Sequence, residues 1–341
     1  MLNQHKPFLK TLSGKKQDKP PFWFMRQAGR YLPEYRALRA EKGGFLAMAF
    51  DPKAACEITM QPIRRFEMDA AIIFSDILTI PMALGQHLEF VAGEGPKLGE
   101  LNISKLKYDD DILQPVYEAL SKTSAQLKAE NYTNTALIGF SGAPWTVATY
   151  MIEGGSSKDF MKTKLFAYQQ PDLFDELIEI LTNSTAQYLI KQVEAGAETL
   201  QIFDSWAGAL DAESFEKYSI EPIKKIISQV REKYPDIPII GFPKGAGTGL
   251  IKFAKQTGIT AIGLDSQTHP QWAAQNLQSL MPVQGNLDPM MLMAGGEKMQ
   301  KAAALIMENF ASKPYIFNLG HGIHKDTPIA HVEKLVETLR G

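Results

Sequence analysis

The sequence predicts one α/β domain folded as a (β/α)8 barrel of the TIM type. Three observations predict it. Eight short apolar runs recur along the chain, each ending in a polar or glycine-bearing tip. Helical patterns separate most of them. No linker, low-complexity tract or block of like charge divides the 341 residues. A strand buried on both faces of a parallel sheet reads as a continuous apolar run, and alternation with helices implies right-handed βαβ crossovers. Eight such units suit a closed barrel. No glycine-rich dinucleotide fingerprint follows the first run, which argues against an open doubly wound sheet.

In chain order, residues 1–20 (MLNQHKPFLKTLSGKKQDKP) read as a polar lead-in, closed by a Pro-Pro break. The barrel domain is expected over 21–341, beginning with the run PFWFMRQ (21–27). The second run, AAIIFSD (70–76), is followed by QHLEFVAGEGPKLGEL (86–101), which has the form of an inserted hairpin. A helix over 115–132 leads to the third strand, TALIGFSG (135–142). A long helix over 174–196 leads to ETLQIFDS (198–205), and another over 214–234 leads to IPIIGFPK (237–244). The later units are short: TAIGLDS (260–266), MPVQGNLD (281–288), a helix over 298–312, PYIFNLGHG (314–322) and a last helix over 331–341.

Composition narrows the function. With 36 Lys+Arg against 38 Asp+Glu, the net charge is −2, so no global basic field drives nucleic-acid binding. The lone Cys56 excludes an internal disulfide framework and any multi-cysteine metal centre. No stretch resembles a membrane span, and the N-terminal residues lack the apolar core of a secretory signal. A cytoplasmic protein is the expectation.

In a barrel the C-terminal strand ends share one mouth, where sites lie. Here they carry Arg26, Asp76, Ser141, Asp204 with Ser205, Lys244, Asp265, Asn286 with Asp288, and Asn318 with His321. Four contexts rise above ordinary rim polarity. Arg26 and Arg30 flank Gln27-Ala28-Gly29, pairing guanidiniums that recognise carboxylates with a turn whose backbone N–H groups can approach an anion. Asp76 is an acid inside an apolar run, where a carboxylate is desolvated and needs donors or a cation. Tyr150 lies in the aromatic helix after the Gly-Ala-Pro turn at 142–144. His321 stands between two glycines, with little sequence-local packing to occupy its imidazole. Lys244, before Gly245-Ala246-Gly247-Thr248-Gly249, mimics a phosphate loop but lacks its spacing; a flexible turn is the preferred reading, with a Schiff-base lysine as the alternative.

The run PFWFMRQAGRYLPEYR resembles the N-terminal signature of the uroporphyrinogen decarboxylase family, and GFSGAPWTVATYMIEGG resembles its second signature. FSDIL, FDSWAG and NLGHG follow the family's order, so the resemblance runs from about Pro21 to the C-terminus; Val147, where the family often has Leu, is a conservative departure. The resemblance implies a barrel homodimer with facing clefts and no cofactor or metal. It implies conversion of uroporphyrinogen III to coproporphyrinogen III by loss of four acetate carboxyl groups as carbon dioxide, in tetrapyrrole and haem biosynthesis. It assigns Arg26 and Arg30 to substrate carboxylates and the Gln27-Ala28-Gly29 backbone to the same segment. Asp76 becomes the acceptor for the pyrrole N–H groups, and Tyr150, Ser205 and His321 further substrate contacts; Arg26 and Asp76 are the catalytic candidates. The proton donor stays open among Arg26, His321, Tyr150, water and a substrate carboxyl, with His321 and Tyr150 the better matched in ordinary pKa. Two other readings are weighed: a zinc- and corrinoid-dependent methyltransferase, which the lone Cys56 disfavours, and a non-catalytic tetrapyrrole carrier, which would not need Asp76.

Overall fold

The computed structural model describes residues 5–91 and 93–341; residues 1–4 of the expected lead-in and Ala92 of the expected hairpin lie outside the described residues. Seven strands form one parallel sheet: β1 (Ala70–Ile72), β4 (Ala136–Gly142), β5 (Thr199–Asp204), β6 (Ile239–Pro243), β7 (Ala261–Gly263), β8 (Val283–Leu287) and β9 (Tyr315–Leu319), in that spatial order. The remaining pair, β2 (Leu88–Val91) and β3 (Gly95–Leu98), is the antiparallel hairpin expected between 86 and 101.

The first expected strand differs from a regular one. Only the single parallel bridge Phe22–Phe317 joins it to β9. Residues 21–25 nevertheless take the eighth place and close the barrel. Trp23 N–H donates to Phe317 O (3.3 Å), and Phe317 N–H donates to Pro21 O (2.9 Å). On the other side Asp69 N–H donates to Phe22 O (3.0 Å) while Phe22 N–H donates to the Asp69 carboxylate (2.9 Å). Further up, Met25 N–H donates to Asn318 Oδ1 (3.0 Å), and Gln27 Nε2 donates to Ala70 O (3.1 Å). Side chains complete the ladder where backbones do not meet, which satisfies buried N–H and C=O groups that would otherwise be costly.

Strand alternation sorts the core. Ile240 and Phe242 face the barrel interior with Trp23, Ala70, Ile138 and Ile316, whereas Ile239 faces the outer helices. Gly241 faces the same way as Ile239, and a Cβ there would meet Phe253 at 2.7 Å, so the helix Gly249–Gln256 packs on bare backbone. The long helices match the expected segments: Gln114–Ala129, Pro171–Glu194, Gly296–Phe310 and Ile329–Arg340. The expected helix at 214–234 is instead Ala212–Phe215, a π-helical turn Glu216–Ile220 and Glu221–Lys233. The π turn coincides with Ser219, whose hydroxyl reaches the buried Asp204 carboxylate (2.6 Å).

Within the segment expected as a polar lead-in, Pro7–Leu12 form a short helix whose Phe8, Leu9 and Leu12 join the barrel-interior cluster. Its lysines mask the pattern: Phe8 is fully buried, and Lys6 pairs with Glu198 (2.6 Å) and donates to Thr135 O (2.7 Å). The Phe8→Ala variant should therefore lose about 3–5 kcal/mol of unfolding free energy by cavity formation. Urea titration measures it, and a loss under about 1 kcal/mol would show that this helix does not contribute to the core.

Candidate active site

The strand order places Arg26, Asp76, Ser205, Lys244, Asp265 and His321 around one opening, with Tyr150 on the helix Pro144–Glu153 that follows β4. Arg26 has the left-handed backbone conformation (φ 59°), uncommon for a side-chain-bearing residue and costing about 1–2 kcal/mol. Its neighbours hold it there. Gln27 N–H donates to Phe24 O (2.9 Å), Gln27 Oε1 accepts from Phe24 N–H (3.2 Å), and Tyr31 O–H donates to Gln27 O (2.7 Å). Gly322 lies under the arginine stem; a Cβ there would come within 2.7 Å of Arg26 Cγ. The Arg26 guanidinium is exposed and has no carboxylate partner among the described residues.

Gln27 braces this segment from within. Its side chain is fully buried in the barrel seam, so it positions the turn and presents nothing to the mouth. Beyond it, the N–H groups of Ala28, Gly29 and Arg30 have no acceptor among the described residues. Arg36 Nη1 braces the turn by donating to Arg30 O (2.7 Å) and Tyr31 O (3.0 Å). The Arg30 guanidinium remains exposed, and its charge bears weakly on Asp326. Three backbone donors and two guanidiniums make an anion-binding edge.

Asp76 is half-buried, deep in the mouth. Leu78 N–H donates to its Oδ1 (2.9 Å), and Thr79 Oγ1 donates to its backbone carbonyl (3.2 Å). Its Oδ2 has no partner among the described residues and opens toward the mouth. Burial raises the carboxyl to about 6, against the lowering effects of Leu78 N–H and the Arg26 charge. Tyr150 packs on Trp206 (ring centroids 5.9 Å apart), and its phenol is raised by burial and by the Asp76 charge.

Ser205 is half-buried at the β5 tip, and its hydroxyl has no partner among the described residues. Its neighbours are fixed: Thr146 Oγ1 donates to Asp204 (2.6 Å) and accepts from Trp206 N–H (3.1 Å), and Trp145 Nε1 donates to Trp206 O (3.0 Å). Asp204 itself is fully buried; burial raises it to about 6, and the Ser219 and Thr146 hydroxyls oppose that. Ser141, Asn286 and Asn318, also tips by sequence, are buried, and the two asparagines act as braces. Asn286 Nδ2 donates to Asp265 O and Thr268 O (both 2.7 Å).

His321 is exposed, yet the protein atoms around its imidazole partly desolvate it. Enclosure and then the Arg26 and Lys244 charges depress its imidazole to about 4, with Asp265 opposing. This corrects the expectation that His321 and Tyr150 are well matched as acids: His321 is neutral at pH 7, and Tyr150 holds its proton. Among the described residues no group of three or more His, Cys, Asp or Glu is placed to hold a metal ion, and no helix is long and apolar enough to cross a membrane. Cys56 is buried on the helix Pro52–Phe66, its thiol raised by burial.

The fold and this carboxylate-and-guanidinium mouth define a barrel enzyme of anionic substrates. A family model described as uroporphyrinogen decarboxylase matches residues 3–341. A curated uroporphyrinogen decarboxylase from Novosphingobium aromaticivorans is 51% identical over 98% of both chains. One from Rhodospirillum rubrum is 48% identical over 98% of this chain and 97% of its own. This chain belongs to the uroporphyrinogen decarboxylase family. Among solved structures, a methyltransferase from Methanosarcina mazei superposes with a TM-score of 0.80 at 19% identity, covering 97% of this chain and 96% of its own. A B12-independent methionine synthase from Shewanella sp. W3-18-1 superposes at 0.55 with 10% identity over 85% of each chain. Both show the shared barrel alone.

Asp76 should take up its proton as pH falls through about 6, well above an ordinary aspartate. Replacing Arg26 by Met removes the charge that favours the carboxylate, so the midpoint should move higher still. Carboxyl-carbon NMR titration reads both; an Asp76 midpoint near 4 in the unaltered chain would refute the burial argument.

Proposed function

We infer that this chain removes the acetate carboxyl groups of uroporphyrinogen III as carbon dioxide, giving coproporphyrinogen III in tetrapyrrole biosynthesis. The observation that carries the reading is the unpartnered Asp76 oxygen in the mouth, flanked by the unpaired Arg26 and Arg30, in a chain 51% identical to a uroporphyrinogen decarboxylase. The substrate bears carboxylates at its periphery and pyrrole N–H groups at its centre, and the mouth offers the complementary pattern. Arg26, Arg30 and the Ala28–Arg30 N–H groups take peripheral carboxylates. Asp76 accepts the central N–H groups, with Tyr150 and Ser205 orienting the macrocycle and neutral His321 donating or accepting a hydrogen bond.

Each turnover replaces a carboxylate by a proton: R–CH2–COO⁻ and H⁺ give R–CH3 and CO2. Protonation of a pyrrole ring carbon creates an iminium-like cation. The electrons of the breaking C–C bond flow into that ring, and protonation of the exocyclic methylene with loss of the ring proton restores the pyrrole. The substrate supplies its own electron sink, so the reading invokes no cofactor or metal. Asp76, preorganised in a desolvated place, stabilises the cation. With His321 depressed to about 4, Tyr150 raised and a guanidinium reluctant to release its proton, the immediate proton source is Asp76, water or a substrate carboxyl.

Anaerobic incubation with reduced uroporphyrinogen, followed by chromatography, should yield products with seven to four carboxyl groups. The Asp76→Asn variant should lose about 10²–10³ in turnover. Near-normal turnover by that variant would remove the electrostatic role.

The reading extends to a cytoplasmic homodimer in which residues 21–341 form the catalytic domain. An exposed apolar stripe supports the dimer: Met161, Leu165 and Tyr168 on the helix Met161–Gln169, with Leu173 just beyond; Tyr168 is 60% exposed. Light scattering should report a dimer for the unaltered chain and a monomer for Leu165→Glu. A dimer of undiminished stability in that variant would remove this face from the interface.

A further inference from the structure

The glycines after Lys244 predict a βα turn on sequence grounds, and the structure has one there, with its first residues held by hydrogen bonds. Lys244 N–H donates to Asp204 O (3.0 Å), and Lys244 O accepts from Gly208 N–H (2.9 Å). Gly245 N–H donates to Asp265 Oδ2 (2.6 Å). Backbone packs on backbone here: a Cβ on Gly208 would meet Gly245 O at 2.7 Å. The lysine backbone is therefore anchored to the tips of β5 and β7 on either side.

Its side chain is half-buried, yet the ammonium has no acidic partner among the described residues. The neighbouring acid is committed elsewhere. Asp265 accepts from Gly245 N–H, Gln267 N–H (3.0 Å), Thr268 N–H (3.0 Å) and Thr268 Oγ1 (2.9 Å). Asp204 is filled by the Thr146 and Ser219 hydroxyls. Many other lysines pair with carboxylates, as Lys252 does with Glu216 (2.6 Å). A half-buried, backbone-anchored and unpaired cation implies an anion that arrives with a ligand.

Position says which one. In the closed ring of residues 21–25, β1, β4, β5, β6, β7, β8 and β9, the β6 tip lies four places from the first, directly across from Arg26. The Lys244 backbone nevertheless sits at the mouth end of β6, and its charge bears on His321 together with that of Arg26.

We propose that Lys244 is a specificity-determining residue that binds a peripheral carboxylate of the macrocycle on the side opposite Arg26 and Arg30. The inference rests on the uroporphyrinogen reading and deepens it. One arginine edge can hold only the carboxylates on its own side, and a macrocycle with carboxylates on every side needs an opposed cation to fix its rotation.

The test compares Lys244→Met, which keeps an apolar stem without charge, with Lys244→Arg. In Lys244→Met the KM for uroporphyrinogen III should rise on the order of 10- to 100-fold, the range for a lost charge-assisted bond, while kcat stays within about threefold. Its KM should also respond less to added salt. Lys244→Arg should recover most of the binding. Product-protected labelling is the second measurement and needs no variant. With coproporphyrinogen bound, reductive methylation of Lys244 in the unaltered chain should slow, as read by mass spectrometry. A KM within about twofold of the unaltered chain in Lys244→Met, or equal labelling with and without product, overturns the inference. Absence of turnover by the unaltered chain would instead overturn the uroporphyrinogen reading.

Discussion

Closure of the barrel at its first strand is the constraint on which the rest depends. Residues 21–25 are too short and too irregular to form a ladder, and the Asp69 carboxylate, the Gln27 amide and the Asn318 amide complete the hydrogen bonding there. These are buried groups, so each unmade bond would cost more than a made one contributes. The same contacts force the chain through the left-handed conformation at Arg26 and deliver its guanidinium to the mouth. Architecture and substrate recognition therefore share one set of side chains, and Gln27 belongs to the first in order to serve the second.

Electrostatic asymmetry organises the mouth. Its acids divide into two kinds. Asp204 and Asp265 are saturated by hydroxyls and backbone N–H groups and act as fasteners. Asp76 keeps one oxygen unpartnered. Its cations, Arg26, Arg30 and Lys244, have no salt-bridge partner among the described residues. A chain of net charge −2 thus holds a local positive edge close to an available carboxylate, Asp76. A polyanion is met by placed groups, and long-range attraction by the whole molecule is not required.

Much of this was legible in the sequence, and the gaps have physical causes. Parallel strands buried on both faces read as apolar runs whatever their neighbours, so eight runs stood out, along with the hairpin, and the run at 21–27 takes the eighth place. The eighth is completed by side chains distant in sequence, and no periodicity encodes that. The helix Pro7–Leu12 escaped because six residues among lysines give too short a pattern. At the site, Arg26, Arg30 and Asp76 were visible as charges in apolar surroundings. The order at Lys244 was not, because its anchors, Asp204, Gly208 and Asp265, come from neighbouring strand tips. The depressed imidazole of His321 was equally hidden, since its causes are enclosure and two cations brought close only by folding.

The seam also has a consequence for biosynthesis. Phe22, Trp23 and Phe24 are synthesised well before their partner strand, which carries Phe317. Until β9 has been made, this aromatic segment can join only β1, through Asp69 and Ala70, and its other edge stays open. Vectorial synthesis therefore leaves one edge of an apolar strand unpaired through most of translation, the interval in which nascent chains aggregate or recruit chaperones. A fold whose first strand waits for the last to cover its second edge places a folding hazard beside the segment that carries Arg26 and Arg30.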